Sequence, residues 1–125
     1  MKSKVERRGV YIKISREPPK NMDELLIRVF WKDPKLAPIA KEFLNHVKEW
    51  WRSESPYKVE EWNNYCIRKG LTQSQYHNML KRLRRAGMIE KVYNKNLREH
   101  ELHLTDRFSG SLAKMARVWD DYCRS

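Results

Sequence analysis

From residue 10 the chain alternates, with Val10, Ile12 and Ile14 apolar against Tyr11 and Lys13. That is the period of a half-buried strand, and the prolines of EPPKN end it. Met22, Leu25, Leu26, Val29 and Phe30 then recur at helical spacing. They predict an amphipathic helix over 22–31, with Asn21 as N-cap and Glu24 as its capping-box partner. DPKLAP stops it. A second helix from Pro38 is expected to bury Ile39, Phe43, Val47, Trp50 and Trp51, and to end at 53–56. Residues 57–59 are too few for more than one rung of strand. A third helix sets Val59, Trp62 and Cys66 on one face, and Gly70 closes it with Leu71 packed behind the cap.

A fourth helix starts at Thr72, with Gln75 as the reciprocal residue of a capping box. Its apolar stripe is narrow, Tyr76, Met79, Leu80 and Leu83, and it closes on Gly87 and Met88. MIEKVY and EHELHL read as two strands, with Leu102 and Leu104 facing inward, joined by the polar turn NKNLR. Thr105 and Asp106 can cap a last helix whose Phe108, Leu112, Met115, Trp119 and Tyr122 step by three or four. The predicted fold is mainly α with a small β-hairpin wing (α+β). The two short helices joined by a Gly-containing turn follow the helix-turn-helix pattern. Three parts are expected: a strand and helix extension over 1–35, a winged helix-turn-helix domain over 36–105, and a C-terminal helix over 106–125.

Composition narrows what such a fold does. At 125 residues the chain suits one domain, and 40% apolar with five tryptophans is too hydrophobic for disorder. Lys and Arg exceed Asp and Glu by 27 to 16, a net charge of +11 that points to a polyanion. No apolar run approaches the roughly 18 residues of a membrane span, and no signal-peptide segment follows MKSKVERRGV, so a cytoplasmic protein is expected. Cys66 and Cys123 lack metal or disulfide spacing and are expected to be reduced and partly buried. The histidines of HELH, His100 and His103, fall on opposite faces of a strand, so no metal is expected. Glu60 and Glu61 are adjacent and share no helix face. No phosphate loop or nucleophile motif is present, so neither cofactor nor catalysis is expected.

The fourth helix carries the functional signal. Opposite its stripe stand Ser74, Asn78, Lys81 and Arg85, flanked by Gln75 and Arg82 on one side and His77 and Arg84 on the other. Hydrogen-bonding groups come first and cations follow. A helix entering the major groove of double-stranded DNA uses that order, its first turns meeting base edges and its later residues phosphates. Gln73, Ser74, Gln75, His77 and Asn78 are therefore the candidate base readers, and Lys81, Arg82, Arg84 and Arg85 the candidate phosphate contacts. Lys95 and Arg98 at the hairpin tip can follow the backbone or enter a narrow minor groove.

These residues resemble a known family. LTQSQYHNMLKRLRRAGMIEKV followed by HLT is similar to the winged helix-turn-helix regulators of the MarR and PadR type. Leu71, Thr72, Tyr76, Leu80, Leu83, Gly87, Met88, Ile89, Leu104 and Thr105 fill the places of the family pattern. The resemblance covers residues 57–106. It implies a sequence-specific DNA-binding transcriptional regulator of a prokaryote or its viruses and plasmids, with Arg98 in the minor-groove role. Asn96 stands where the MarR type carries the Asp before that Arg, and the Gly that follows Leu-Thr is displaced to Gly110. The resemblance also implies a homodimer through the terminal helix, by Phe108, Leu112, Met115, Trp119 and Tyr122. Two other readings stay open: a winged helix that binds a protein partner within a replication or transcription assembly, and RNA binding.

Overall fold

The computed structural model describes residues 9–52 and 57–125. Five helices and three strands follow one another among them: α1 (Met22–Val29), α2 (Leu36–Arg52), β1 (Tyr57–Lys58), α3 (Trp62–Lys69), α4 (Gln73–Ala86), β2 (Ile89–Asn94), β3 (Glu99–Leu104) and α5 (Arg107–Arg124). The fold is α+β, mainly helical with one antiparallel sheet of order β1-β3-β2. A 3-10 turn over Val59–Glu61 leads into α3.

Local chemistry sets most boundaries. The Asn21 side chain accepts the Glu24 amide and starts α1, although the Glu24 carboxylate turns to the Lys20 amide rather than to that of Asn21. Helix α2 begins at Leu36, two residues before the predicted Pro38, because the amides of Leu36 and Ala37 close turns onto the carbonyls of Asp33 and Pro34. Trp51 and residues 53–56, assigned by the pattern to that helix and its end, lie outside the described side chains and residues. Gly70, at φ 66°, takes the left-handed turn that ends α3, and the Leu71 amide reaches back to the Cys66 carbonyl. At the start of α5 the expected Asp106 cap makes no side-chain hydrogen bond. Thr105 takes that part, its hydroxyl accepting the Arg107 amide at 3.3 Å.

The core forms around Phe43 of α2. Tyr57, Tyr65 and Tyr76 meet its ring edge-on at centroid distances of 5.5, 5.3 and 5.5 Å, the geometry that the ring quadrupoles favour. All four rings are buried, so one side chain joins α2 to β1, α3 and α4. Ile39, expected in this core, is half-buried, while Leu36, Ala37, Ala40 and Leu44 are buried. His46 lies against Tyr57 and Tyr65 and accepts the Trp50 indole N–H at 3.0 Å. Burial lowers its pKa, which agrees with a neutral ring whose Nε2 is an acceptor.

Two predicted features are corrected. No strand occurs among residues 9–21, which have no ladder partner among the described residues. Val10 and Ile12 are half-buried, but Ile14 stands 80% exposed. The segment is tied down by other means: the Lys13 amide donates to the Arg28 carbonyl, and the Trp31 indole N–H to the Tyr11 carbonyl. In β3, Leu102 is buried opposite Tyr57 and Lys91, whereas Leu104 is 43% exposed. The second buried residue of that strand is Glu101 instead.

Because Phe43 is the shared contact of four elements, Phe43→Ala is expected to lower unfolding free energy by about 3–5 kcal/mol. Urea denaturation followed by circular dichroism measures it. A loss under about 1 kcal/mol would show that the rings around it hold without their centre.

Candidate nucleic-acid interface

Both ends of α4 are fixed by the sequence. The Thr72 hydroxyl accepts the Gln75 amide at 3.1 Å, and the Gln75 side-chain oxygen accepts the Thr72 amide at 3.0 Å, a complete capping box. Gly87, at φ 83°, ends the helix. Between them Tyr76, Met79 and Leu83 are buried and Leu80 is half-buried, which turns Ser74, Asn78 and Lys81 to the outside. Gln73, His77 and Arg84 are exposed and Arg85 is half-buried. The His77 ring rests 5.5 Å from those of Trp62 and Tyr76, which limits its swing.

Two predicted site residues serve the fold. Gln75 spends its side-chain oxygen on the cap, while Gln73, Ser74, His77 and Asn78 stand exposed beside it. Arg82 has backbone partners within the fold. Its Nε donates to the Val29 carbonyl at 2.6 Å and its Nη2 to the Tyr11 carbonyl at 3.4 Å. Val29 is the last residue of α1, where carbonyls lack helical partners. Arg82 therefore clips α4 to α1 and to the N-terminal segment, and periodicity alone could not distinguish it from its outward neighbours.

Asn78, Lys81, Arg82 and Arg85 converge with Lys32, Asp33, Phe30 and Leu36 around a recess of about 240 Å³ beside α4. Lys32 is a cation that the sequence reading missed. It sits in the α1–α2 connection, far from α4 in sequence, so no local spacing announces it. The recess offers an amide and several cations side by side, a chemistry suited to phosphate and to base edges.

Hairpin β2–β3 pairs from Ile89 opposite Leu104 to Asn94 opposite Glu99. Lys95 and Arg98 are exposed at its tip, and Arg98 holds a left-handed φ of 54°. Asn94 sustains that turn, its Oδ1 accepting the amides of Asn96 and Leu97 at 3.0 and 3.2 Å. The other end of the same amide donates to buried Glu101 at 3.1 Å, and His103 Nε2 lies 3.0 Å from the second Glu101 oxygen. Hydrogen bonding from His103, then from Asn94, holds the Glu101 carboxyl below its ordinary pKa against the opposing effect of burial. The turn thus rests on Asn94 and a buried carboxylate rather than on residue 96.

Helix α5 leaves the body after one turn. Phe108 is half-buried, and its amide donates to the Gly87 carbonyl at 3.0 Å. A Cβ on Gly87 would come within 3.1 Å of that amide nitrogen, so this glycine serves both the turn and the approach. Leu112, Met115, Trp119 and Tyr122 are exposed, and the helix has no buried residue. Both cysteines are free, Cys66 buried and Cys123 exposed, rather than each partly buried. Among the described residues no three His, Cys, Asp or Glu side chains gather to hold a metal, and no helix is long and apolar enough to cross a membrane.

Residues 17–123 match the model of a family described as an archaeal family. No curated protein and no solved structure matches the chain.

The buried carboxylate gives a pH prediction. Its folded pKa is depressed, so its contribution to stability is present above the unfolded carboxylate range and is lost as pH falls through the folded value. The stability gap between wild type and Glu101→Gln should be full at pH 7 and shrink as pH drops below about 4. Chemical denaturation at stepped pH reads it; a gap that stays constant to about pH 3 would mean the carboxylate is not held in its charged form.

Proposed function

The chain belongs to an archaeal family, and on that premise we propose that it binds double-stranded DNA as a winged helix-turn-helix protein. In this reading α3, the Gly70 turn and α4 are the helix-turn-helix, and hairpin β2–β3 is the wing. The observation that carries the proposal is the outer face of α4, where Ser74, Asn78 and Lys81 stand exposed and Asn78, Lys81 and Arg85 share a recess with Lys32. A helix serving the core alone has no use for that gathering of donors and cations, whereas a duplex meets amides with base edges and cations with phosphates. The net charge of +11 supplies the long-range attraction.

Each residue then has a role. Ser74 and Asn78 reach base edges, with Gln73 and His77 beside them. Lys81, Arg85 and Lys32 hold phosphate oxygens. Arg98, with Lys95, follows the backbone or enters a narrow minor groove from the wing tip. Transcription regulation is the further step suggested by the resemblance to MarR and PadR regulators, together with a cytoplasmic location, a homodimer built on α5 and no catalytic step.

Selection from randomised duplexes tests the reading. Asn78→Ala should cost roughly 1–3 kcal/mol on the preferred sequence and little on random DNA, while Arg98→Ala should lose preference for narrow A/T-rich flanks only. Enrichment of the wild-type motif by the Asn78 variant would remove α4 as the reader. Salt titration separates grip from scaffold: Lys81→Ala should lower the log-log slope by about 0.9, and Arg82→Ala should leave it unchanged while lowering stability. The reverse result would restore Arg82 as a phosphate contact.

A further inference from the structure

The first half of α5 forms one wall of a groove of about 1350 Å³. The other walls come from the N-terminal segment, α1, the end of α4 and the start of β2. Its apolar lining includes Val10, Ile12, Leu25, Ile89, Leu112 and Met115. Among the described residues the lining holds seven cations, Lys13, Arg16 and Lys91 among them, and one acid, Glu90, which pairs with Arg107 at 3.3 Å. The second half of α5 runs beyond this groove. There Trp119 and Tyr122 are 65% and 73% exposed, and there the helix carries its two acids, Asp120 and Asp121.

We infer that the groove takes the second half of α5 from another copy of this chain, the two helices crossing antiparallel about Met115 in a reciprocal dimer. Three observations name a second copy as the occupant. The stripe is its own complement: Phe108 and Tyr122 each stand seven residues from Met115, and Leu112 and Trp119 stand three and four. Antiparallel pairing therefore sets Phe108 against Tyr122 and Leu112 against Trp119, twice over, as a two-fold interface requires. Charge permits it: the second half of α5 carries Asp120 and Asp121 beside Arg117 and Arg124 and is net neutral, so it adds no like charge to a groove rich in cations, whereas a parallel pair would bring the four aspartates together. Area agrees too: a specific interface buries about 1,000 Å² or more in total, and four exposed rings of roughly 150–250 Å² each supply a large share.

The inference deepens the homodimer of the proposed function and rests on that part of it, not on DNA binding. Engineered cysteines provide the test, on a Cys123→Ser background. On an antiparallel pair crossing at Met115, Ser111 of one copy lies beside Val118 of the other, four residues before and three after the crossing on one flank of the stripe. Ser111→Cys with Val118→Cys should form an intermolecular 111–118 disulfide under mild oxidation, and the Cys123→Ser chain without them should not. Peptide mapping identifies the linked pair, and light scattering gives the mass before oxidation. Trp119→Ala with Tyr122→Ala should yield a folded monomer, because α5 has no buried residue whose loss would unfold the body. A dimer that links only 111 to 111 or 118 to 118 overturns the antiparallel arrangement alone. A monomer mass for the wild type at tens of micromolar overturns both the arrangement and the homodimer.

Discussion

The packing of three tyrosines against Phe43 is the contact on which the placement of α4 depends. Helix α4 offers only a narrow stripe to the interior, too little to fix its direction by area alone. Tyr76 overcomes this by meeting the same ring that Tyr57 and Tyr65 meet. Each such pair is worth about 0.5–1.5 kcal/mol beyond its buried area, and the shared ring makes them mutually dependent. The buried Tyr57 and Tyr76 hydroxyls lie 3.4 Å apart and face each other. With one face of α4 held this firmly, its opposite face is set as well, and Ser74, Asn78 and Lys81 point outward as a consequence of packing.

Local signals in the sequence carried much of this. The capping box of Thr72 and Gln75, the left-handed glycines at 70 and 87, and the stripe through Tyr76, Met79 and Leu83 are short-range chemistry, readable within one or two helical turns. What was illegible depends on partners distant in the chain. The alternation through Ile14 resembles a strand, yet a strand exists only with a ladder partner, and residues 9–21 have none among the described residues. Arg82 has the same spacing credentials as Lys81 until the carbonyls of Val29 and Tyr11 are placed beside it. Lys32 joins the recess through the fold alone. Glu101 contradicts the rule that alternating leucines mark the inner face, because Asn94 and His103 satisfy its carboxylate.

The basic character of the chain is thus divided among different duties. One arginine holds α1 to α4, several cations line the groove beside α5, and another group gathers at the recess by Asn78. A net charge describes attraction to a polyanion in general, while the division decides which surface meets it. Under the proposed function the recess and the hairpin tip meet DNA, and the groove is reserved for the second copy.

Amide chemical-shift mapping with a short duplex tests that division most directly. Residues 73–85 of α4, Lys32 and residues 95–98 of the hairpin should shift on titration, with the shifts of α4 strongest near Ser74, Asn78 and Lys81, while residues 119–124 of α5 stay in place. Shifts concentrated along the groove at Lys13, Arg16 and Lys91, with α4 silent, would contradict the assignment of α4 as the DNA-facing helix.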